Sequence, residues 1–350
     1  MRHHVVLRSE RSDVSLRLPV RPMLVCVGLA VAVLISVCFA TAFGAYTVSP
    51  VDVARALVGS GGHLAVFVIR TIRLPRVVMG VLVGATLALS GAIIQNLTRN
   101  PLASPDILGI NEGAAVVVVW MILHNEPDNA IPLGAFLGAV GAVAILALLG
   151  VRRHFSAFRL LLMGVALNMV LGIAVSYMLL SPAAQNVQIQ QKITEYLFGS
   201  VGNASWYYIR LIFVGLLVLV PIAMMLGRQL NMFQLGEDVA VSLGVRTTVL
   251  QISFFGVAAM LSALAVTVAG PVGFVAFVSP HIARRISRTA SAASLPVAMG
   301  VGAVLVVLAD YIGKRIIAPV EIPLGLMTTL LGAPYLLYLL VMADRDTGVG

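Results

Sequence analysis

Apolar runs long enough to cross a lipid bilayer recur along almost the whole chain, and this pattern constrains the fold more than any other feature. Read between polar residues and Pro or Gly breaks, they predict helices at about 23–45, 75–97, 113–123, 131–149, 159–180, 205–226, 249–269, 272–286, 295–312 and 323–342. A spanning helix needs roughly 20 apolar residues, because the bilayer core offers no water to an unpaired backbone group. The third and eighth runs are short, and Gly270-Pro271 separates two runs that would otherwise merge. Composition agrees: 60% of the 350 residues are hydrophobic, 11% are charged, and the mean hydropathy is +1.02. No soluble domain of ordinary composition approaches these values.

The expected fold class is therefore all-α, a polytopic membrane protein with about ten transmembrane helices. Residues 1–22 read as a cytoplasmic N-terminal tail, 23–342 as one transmembrane domain and 343–350 as a cytoplasmic C-terminal tail. The first run is longer than a signal-peptide core and reads as the first span. An even count returns both termini to one side. Placing the N-terminus in the cytoplasm puts fifteen of the 23 basic residues inside, among them Arg99, Arg159, Arg228, Arg246 and Arg284. The formal charge of +9 is then mostly topology, so no nucleic-acid partner is needed to explain it.

The exceptions to that asymmetry are Arg70, Arg73 and Arg76 before the second span, with Lys314 and Arg315 after the ninth. These cations either pair with local acids or lipid phosphates, or face an acidic partner outside the membrane. Asp310, one helical turn before Lys314, offers the lysine an intrahelical pair.

Several classes of chemistry are excluded. The chain has only two lysines, Lys192 and Lys314, and neither sits in a phosphate-binding glycine loop. Its histidines do not cluster at metal-ligand spacing, and no catalytic triad or carboxylate pair occurs. No catalytic residue, metal site or cofactor is expected on this chain. Cys26 and Cys38 fall twelve residues apart in one apolar run, about 18 Å along a helix, too far to bridge. An ion-coupled secondary transporter would be expected to carry carboxylates or histidines within its spans, and the predicted spans lack mid-span carboxylates.

Three segments carry a family resemblance: Arg73-Leu74-Pro75-Arg76, then the run from Arg99-Asn100-Pro101-Leu102 to Gly109, and Gly270-Pro271-Val272-Gly273-Phe274 leading into Pro280-His281-Ile282-Ala283-Arg284. Two further pieces fit, the stretch from Leu235 to Val245 and Glu321-Ile322-Pro323-Leu324-Gly325. Together they resemble the FecCD family of siderophore, haem and vitamin B12 import permeases, over about residues 20 to 342, with the ferric-enterobactin permeases nearest in appearance.

The resemblance implies a type II ABC importer permease in the bacterial cytoplasmic (inner) membrane, working by alternating access through a cavity between two permease subunits. Its implied partners are a second permease, as a heterodimer with a paralogue, two ATP-binding subunits that hold ATP and Mg, a periplasmic or lipid-anchored binding protein, and a ferric siderophore as cargo. Haem or vitamin B12 is the alternative cargo. It further implies a coupling helix formed by Leu235, Gly236, Glu237, Asp238, Leu243, Gly244 and Val245. The residues themselves suit that role or a plain solvated loop: Gly236 allows a tight turn, and Glu237 with Asp238 would place acids where a helix dipole favours them.

A cytoplasmic gate is implied at Asn100 and Leu102, with Ala157 and Phe158 opposite; a helix simply ended by Pro101 is the plainer reading. Docking of the binding protein is implied at Arg73, Arg76 and Lys314. Small residues crowd the second span (Gly80, Gly84, Ala85, Ala88, Ser90, Gly91), a pattern suited to close helix packing. Gln95, Met163, Asn168, Met169 and Met178 are candidates to line a cargo path.

Overall fold

The structure, a computed structural model, describes residues 4–8, 15–43, 49–60, 62–151, 157–234, 236–244, 246–289, 291–318 and 320–346. Before the first helix, β1 (His4–Arg8) and β2 (Ser15–Pro19) pair antiparallel with His4 opposite Pro19. This hairpin lies in the stretch read as a cytoplasmic tail, and the other regular elements among the described residues are helices.

In chain order the helices are α1 (Val20–Ala42), α2 (Pro50–Val58), α3 (His63–Phe67), α4 (Leu74–Thr98), α5 (Ile110–Leu123), α6 (Ile131–Val151), α7 (Ala157–Leu179) and α8 (Val187–Leu197). They continue with α9 (Trp206–Phe233), α10 (Glu237–Ser242), α11 (Thr247–Ala269), α12 (Val275–Ser287), α13 (Ser294–Arg315) and α14 (Leu324–Asp346). A π-helical turn, Val68–Arg73, joins α3 to α4, so that 36 residues from His63 to Thr98 run as one span.

Each predicted run folds as a helix, and seven are long and apolar enough to cross a membrane. The apolar helix Ile110–Leu123 and the apolar part of α14, Leu324–Leu339, are shorter. The remaining run, α12, has 13 residues and carries Arg284 and Arg285 in its last turn. Both α5 and α12 follow irregular backbone. That backbone is buried in protein at Ala103, Ser104 and Pro105 before α5 and at Gly270 and Val272 before α12, where a lipid-exposed loop would leave polar groups unpaired. α5 also begins three residues before the predicted run, so Glu112 stands in its first turn. Glu112 thus stands at the end of the helix and not at mid-span.

α4 is the axis of the bundle. In the most apolar stretch of the span containing it 83% of the residues are buried, against 6% in α1, and α11, α12, α13 and α9 pack around it. The small-residue pattern explains this. A Cβ on Gly84 would lie 2.2 Å from the Gly302 carbonyl oxygen, and one on Gly91 would lie 1.7 Å from that of Ala276. Backbones approach there because no side chain intervenes. Conversely, Leu24 and Leu34 on α1, Val170 and Ile173 on α7, and Leu217 and Met225 on α9 are exposed. An apolar surface of that extent belongs against lipid or a partner chain.

Candidate functional site

α10 sits at the end of the bundle where α4 finishes and α11 begins. Gly236, at φ 126°, turns the chain into it, and Gly244, at φ 82°, turns the chain out. Both values lie where only glycine is unstrained. Ala240 is fully buried and anchors the helix to the bundle, while Val239, Val241 and Leu243 are exposed. Three apolar side chains presented on one short polar-ended helix make a surface suited to another protein. Glu237 and Asp238 occupy the first turn of α10, but their side chains, like residues Leu235 and Val245, lie outside the described ones.

Next to α10 is the turn that follows α4. Thr98 ends the helix, and Arg99 takes a left-handed φ of 50°. Asn100 Oδ1 accepts the Leu102 N–H at 2.9 Å and the Asn100 carbonyl accepts Ala103 N–H at 3.1 Å, which closes a compact side-chain-capped turn. Asn100 is exposed and Leu102 is 48% exposed, so this turn presents its tip outward while Ala103 is buried. Ala157 and Phe158 open α7, but their side chains lie outside the described ones, so no contact across the gate is assigned to them.

The chain then packs on α7, where a Cβ on Gly164 would lie 2.9 Å from Leu108 Cα, and Asn168 Nδ2 donates to the Asp106 carbonyl oxygen at 3.1 Å. Desolvation in this packing pushes the Asp106 carboxyl up to about 6, against hydrogen bonds from Ser104 and Asn111 that favour the ion.

Polar side chains cross-link the same end of α4. Gln95 donates to the Phe277 carbonyl oxygen at 3.0 Å and accepts from Arg284 at 2.6 Å. Gln95 is 3% exposed, so it ties α4 to α12 and is removed from the cargo-path candidates. Met169 is 64% exposed on α7 and stays among them. Asn96 Oδ1 accepts from Gln234 Nε2 at 3.0 Å, and the Arg99 guanidinium donates to the Phe233 carbonyl oxygen.

At the other end of α4 the basic residues separate into two sets. Arg76 donates from Nε and Nη2 to Asp310 Oδ1 at 3.1 and 2.9 Å and from Nη1 to Glu321 Oε2 at 2.7 Å. Lys314 reaches Asp310 Oδ2 at 2.7 Å. Two cations and two carboxylates thus balance within the protein, joining α4, α13 and the approach to α14. Arg73 donates to the Thr41 and Ala42 carbonyl oxygens at the end of α1, 2.9 and 3.3 Å away. Arg315 is exposed over the Tyr311 ring and repels Arg73 electrostatically, and Arg70 is exposed. Arg70, Arg73 and Arg315 bring further positive charge to this rim. Arg76 and Lys314, expected to face outward, are turned into the local network.

Sequence reading anticipated the Asp310–Lys314 pair from its one-turn spacing. It missed the larger partner, Arg76, 234 positions away from Asp310, and it gave Glu321 no role. The signal for both was already in the pattern: two acids lie on the same loop end as cations that the topology rule disfavours.

The sequence profile of the FecCD transport family matches residues 29–342. The Fe(3+)-citrate import system permease protein YfmE of Bacillus subtilis (strain 168) is 35% identical over 328 residues, covering 93% of this chain and 97% of that protein. The ferric enterobactin transport system permease protein FepG of Escherichia coli (strain K12) is 34% identical, covering 93% and 98%. A solved metal-chelate type ABC transporter in an inward-facing conformation matches with a TM-score of 0.81 at 27% identity, covering 91% of this chain and 99% of that one.

Proposed function

The chain belongs to the FecCD transport family, and we propose that it serves as the permease subunit of an ATP-driven importer whose cargo is a ferric siderophore. The observation that carries this reading is α10, a six-residue helix rooted by buried Ala240 and presenting Val239, Val241 and Leu243 outward. An ATPase subunit docking on those residues would push a helix anchored to the bundle by Ala240, and ATP and Mg would be held by that subunit. The α10 end then faces the cytoplasm, which also places Arg99, Arg246, Arg284 and Arg288 inside, in keeping with the positive-inside rule. The proposed location is the bacterial inner membrane with both termini cytoplasmic.

The Arg76 end is then external. A binding protein with acidic residues would dock on the rim of Arg70, Arg73 and Arg315, with Lys314 and Arg76 bracing it from below through Asp310 and Glu321. The Asn100–Leu102 turn would close the inner mouth of a path formed with a second permease, a paralogue in a heterodimer, and exposed apolar residues of α7 such as Met169 and Ile173 would face that path or that subunit. Cargo would pass by alternating access.

Uptake into proteoliposomes holding the assembled importer tests the proposal, with radioiron supplied as ferric enterobactin or ferric citrate and hemin as the competing cargo. ATP-dependent entry of the ferric chelates supports it. Entry that follows an ion gradient and ignores ATP would overturn the importer reading, and entry of hemin alone would overturn the siderophore assignment.

A further inference from the structure

Four observations meet at the inner end of α4. Arg99, the residue that ends this helix, holds a left-handed φ of 50°, a conformation that costs a non-glycine residue about 1–2 kcal/mol and persists only when the surroundings hold it. What holds it is Phe233, the last residue of α9: the guanidinium donates to the Phe233 carbonyl oxygen and stacks 4.7 Å from the ring centroid. That same carbonyl accepts the N–H of Gly236 at 3.3 Å, the glycine on which the chain turns into α10. One residue further on, Gln234 donates to Asn96, which is 6% exposed and whose own amide nitrogen finds no partner.

The consequence is a two-point attachment. Phe233 and Gln234 form the stem from which α10 hangs, and Asn96 and Arg99 flank the last turn of α4 just before Asn100 and Leu102. Elsewhere α10 is held through buried Ala240, against α9 and α11. The shared carbonyl places the root of α10 and the root of the Asn100–Leu102 turn on one acceptor, so neither can shift far without straining the other.

We propose that Arg99 and Asn96 are positioning residues that fasten the Asn100–Leu102 turn to the stem of α10, so that displacement of α10 by a bound partner moves the turn. This rests on the reading of α10 as the ATPase contact and of the turn as the inner gate. The link acts on the coupling between nucleotide and gate and leaves the hydrolysis chemistry on the partner untouched. A lysine at position 99 would keep a donor and a cation over the ring, whereas alanine keeps neither.

The test uses the assembled importer in proteoliposomes, with Cys26 and Cys38 replaced by serine and Leu102→Cys as a reporter. Labelling of position 102 by a membrane-impermeant maleimide is compared between the nucleotide-free state and the state trapped with ATP and vanadate. The link predicts a labelling ratio that departs several-fold from one in the reporter background. It predicts collapse to near one in Arg99→Ala/Gln234→Ala with ATP hydrolysis within about twofold of the background, and recovery of most of the ratio in Arg99→Lys/Gln234→Ala. A reporter background whose labelling ignores nucleotide overturns the gate reading and the link together. A ratio that survives intact in Arg99→Ala/Gln234→Ala overturns the link alone.

Discussion

Arg76 and Asp310, 234 residues apart in sequence, meet side-on within the protein, with Nε and Nη2 of the arginine both on Oδ1 of the carboxylate at 3.1 and 2.9 Å. Their side chains are 14% and 9% exposed, so both charges are largely shielded from water. Breaking a buried ion pair by removing one partner typically costs 3–5 kcal/mol where the other is left unpaired. Glu321 and Lys314 soften the loss here, so about 2–3 kcal/mol is expected for Arg76→Ala. Thermal unfolding in detergent should show this as a lower midpoint that high salt does not abolish. A midpoint equal to that of the unaltered protein would mean that the pair contributes nothing net.

Asp106 gives a pH dependence of defined sign. Its carboxyl is raised to about 6 in the folded protein, so the folded state binds its proton more tightly than the unfolded chain does. Stability from this group is fully present below the ordinary carboxylate range and is lost as pH rises through about 6. Asp106→Asn removes the penalty. It should raise the unfolding midpoint at pH 8 by the equivalent of at most about 3 kcal/mol, with little effect at pH 4. A variant equally or less stable than the parent at pH 8 would show that the ionised group is better solvated than its packing indicates.

The helix contacts of α4 should tolerate almost no added volume. Gly91→Ala would set a methyl group 1.7 Å from the Ala276 carbonyl oxygen, a backbone atom that cannot move aside as a side chain can. Gly141→Ala is the control, since nothing lies within 4 Å of its Cβ position. Folded yield by size exclusion should fall sharply for the first and not for the second. Equal yields would mean that α12 can slide along α4 at little cost.

These contrasts show what could be read from the chain. Every apolar run became a helix, because a segment that leaves water must pair its own backbone, and an unbroken run of apolar residues records that requirement directly. The small residues of α4 signalled close packing for the same reason. Gly236 and Gly244 marked the turns around α10, whose positive φ values need glycine.

What stayed hidden was long-range pairing. Nothing local in Arg76 tells that its partners are Asp310 and Glu321, and nothing in Gln95 tells that it faces Phe277 and Arg284 and no cavity. Such contacts depend on which helices the bundle places side by side. Likewise Arg99 is an ordinary loop cation in sequence, and its grip on Phe233 exists only once α4 and α9 end at the same level.

The surface of α10 separates fold from partner. Val241→Asp puts a charge where the side chain is 56% exposed, so the chain should insert and unfold as before while losing ATPase association in a pull-down. Gly244→Ala meets no atom within 4 Å but must hold φ 82°, so its cost should be backbone strain of about 1 kcal/mol. Retained association in Val241→Asp would remove α10 from the interface.

The rim offers the last test, because its two sets of cations should respond differently to the same change of charge. Arg315 is exposed and Arg73 sits beside it, whereas Arg76 and Lys314 are held by Asp310 and Glu321. Arg315→Glu should leave the unfolding midpoint within about 0.5 kcal/mol, as surface substitutions usually do. It should weaken binding-protein affinity, with Arg73→Glu/Arg315→Glu weaker still, because attraction to an acidic partner becomes repulsion. The affinity of the unaltered importer should also fall as ionic strength rises, since exposed charges separated by about 10 Å are screened at 0.1 M salt. Arg76→Glu should behave otherwise: it sets a third carboxylate against Asp310 and Glu321, so its first effect is lost stability. Exchange of acidic residues on the binding protein for lysine should restore affinity to the Arg73→Glu/Arg315→Glu importer and not to Arg76→Glu. Affinity indifferent to Arg315→Glu, to the double reversal and to salt would return the rim to a lipid-anchoring role.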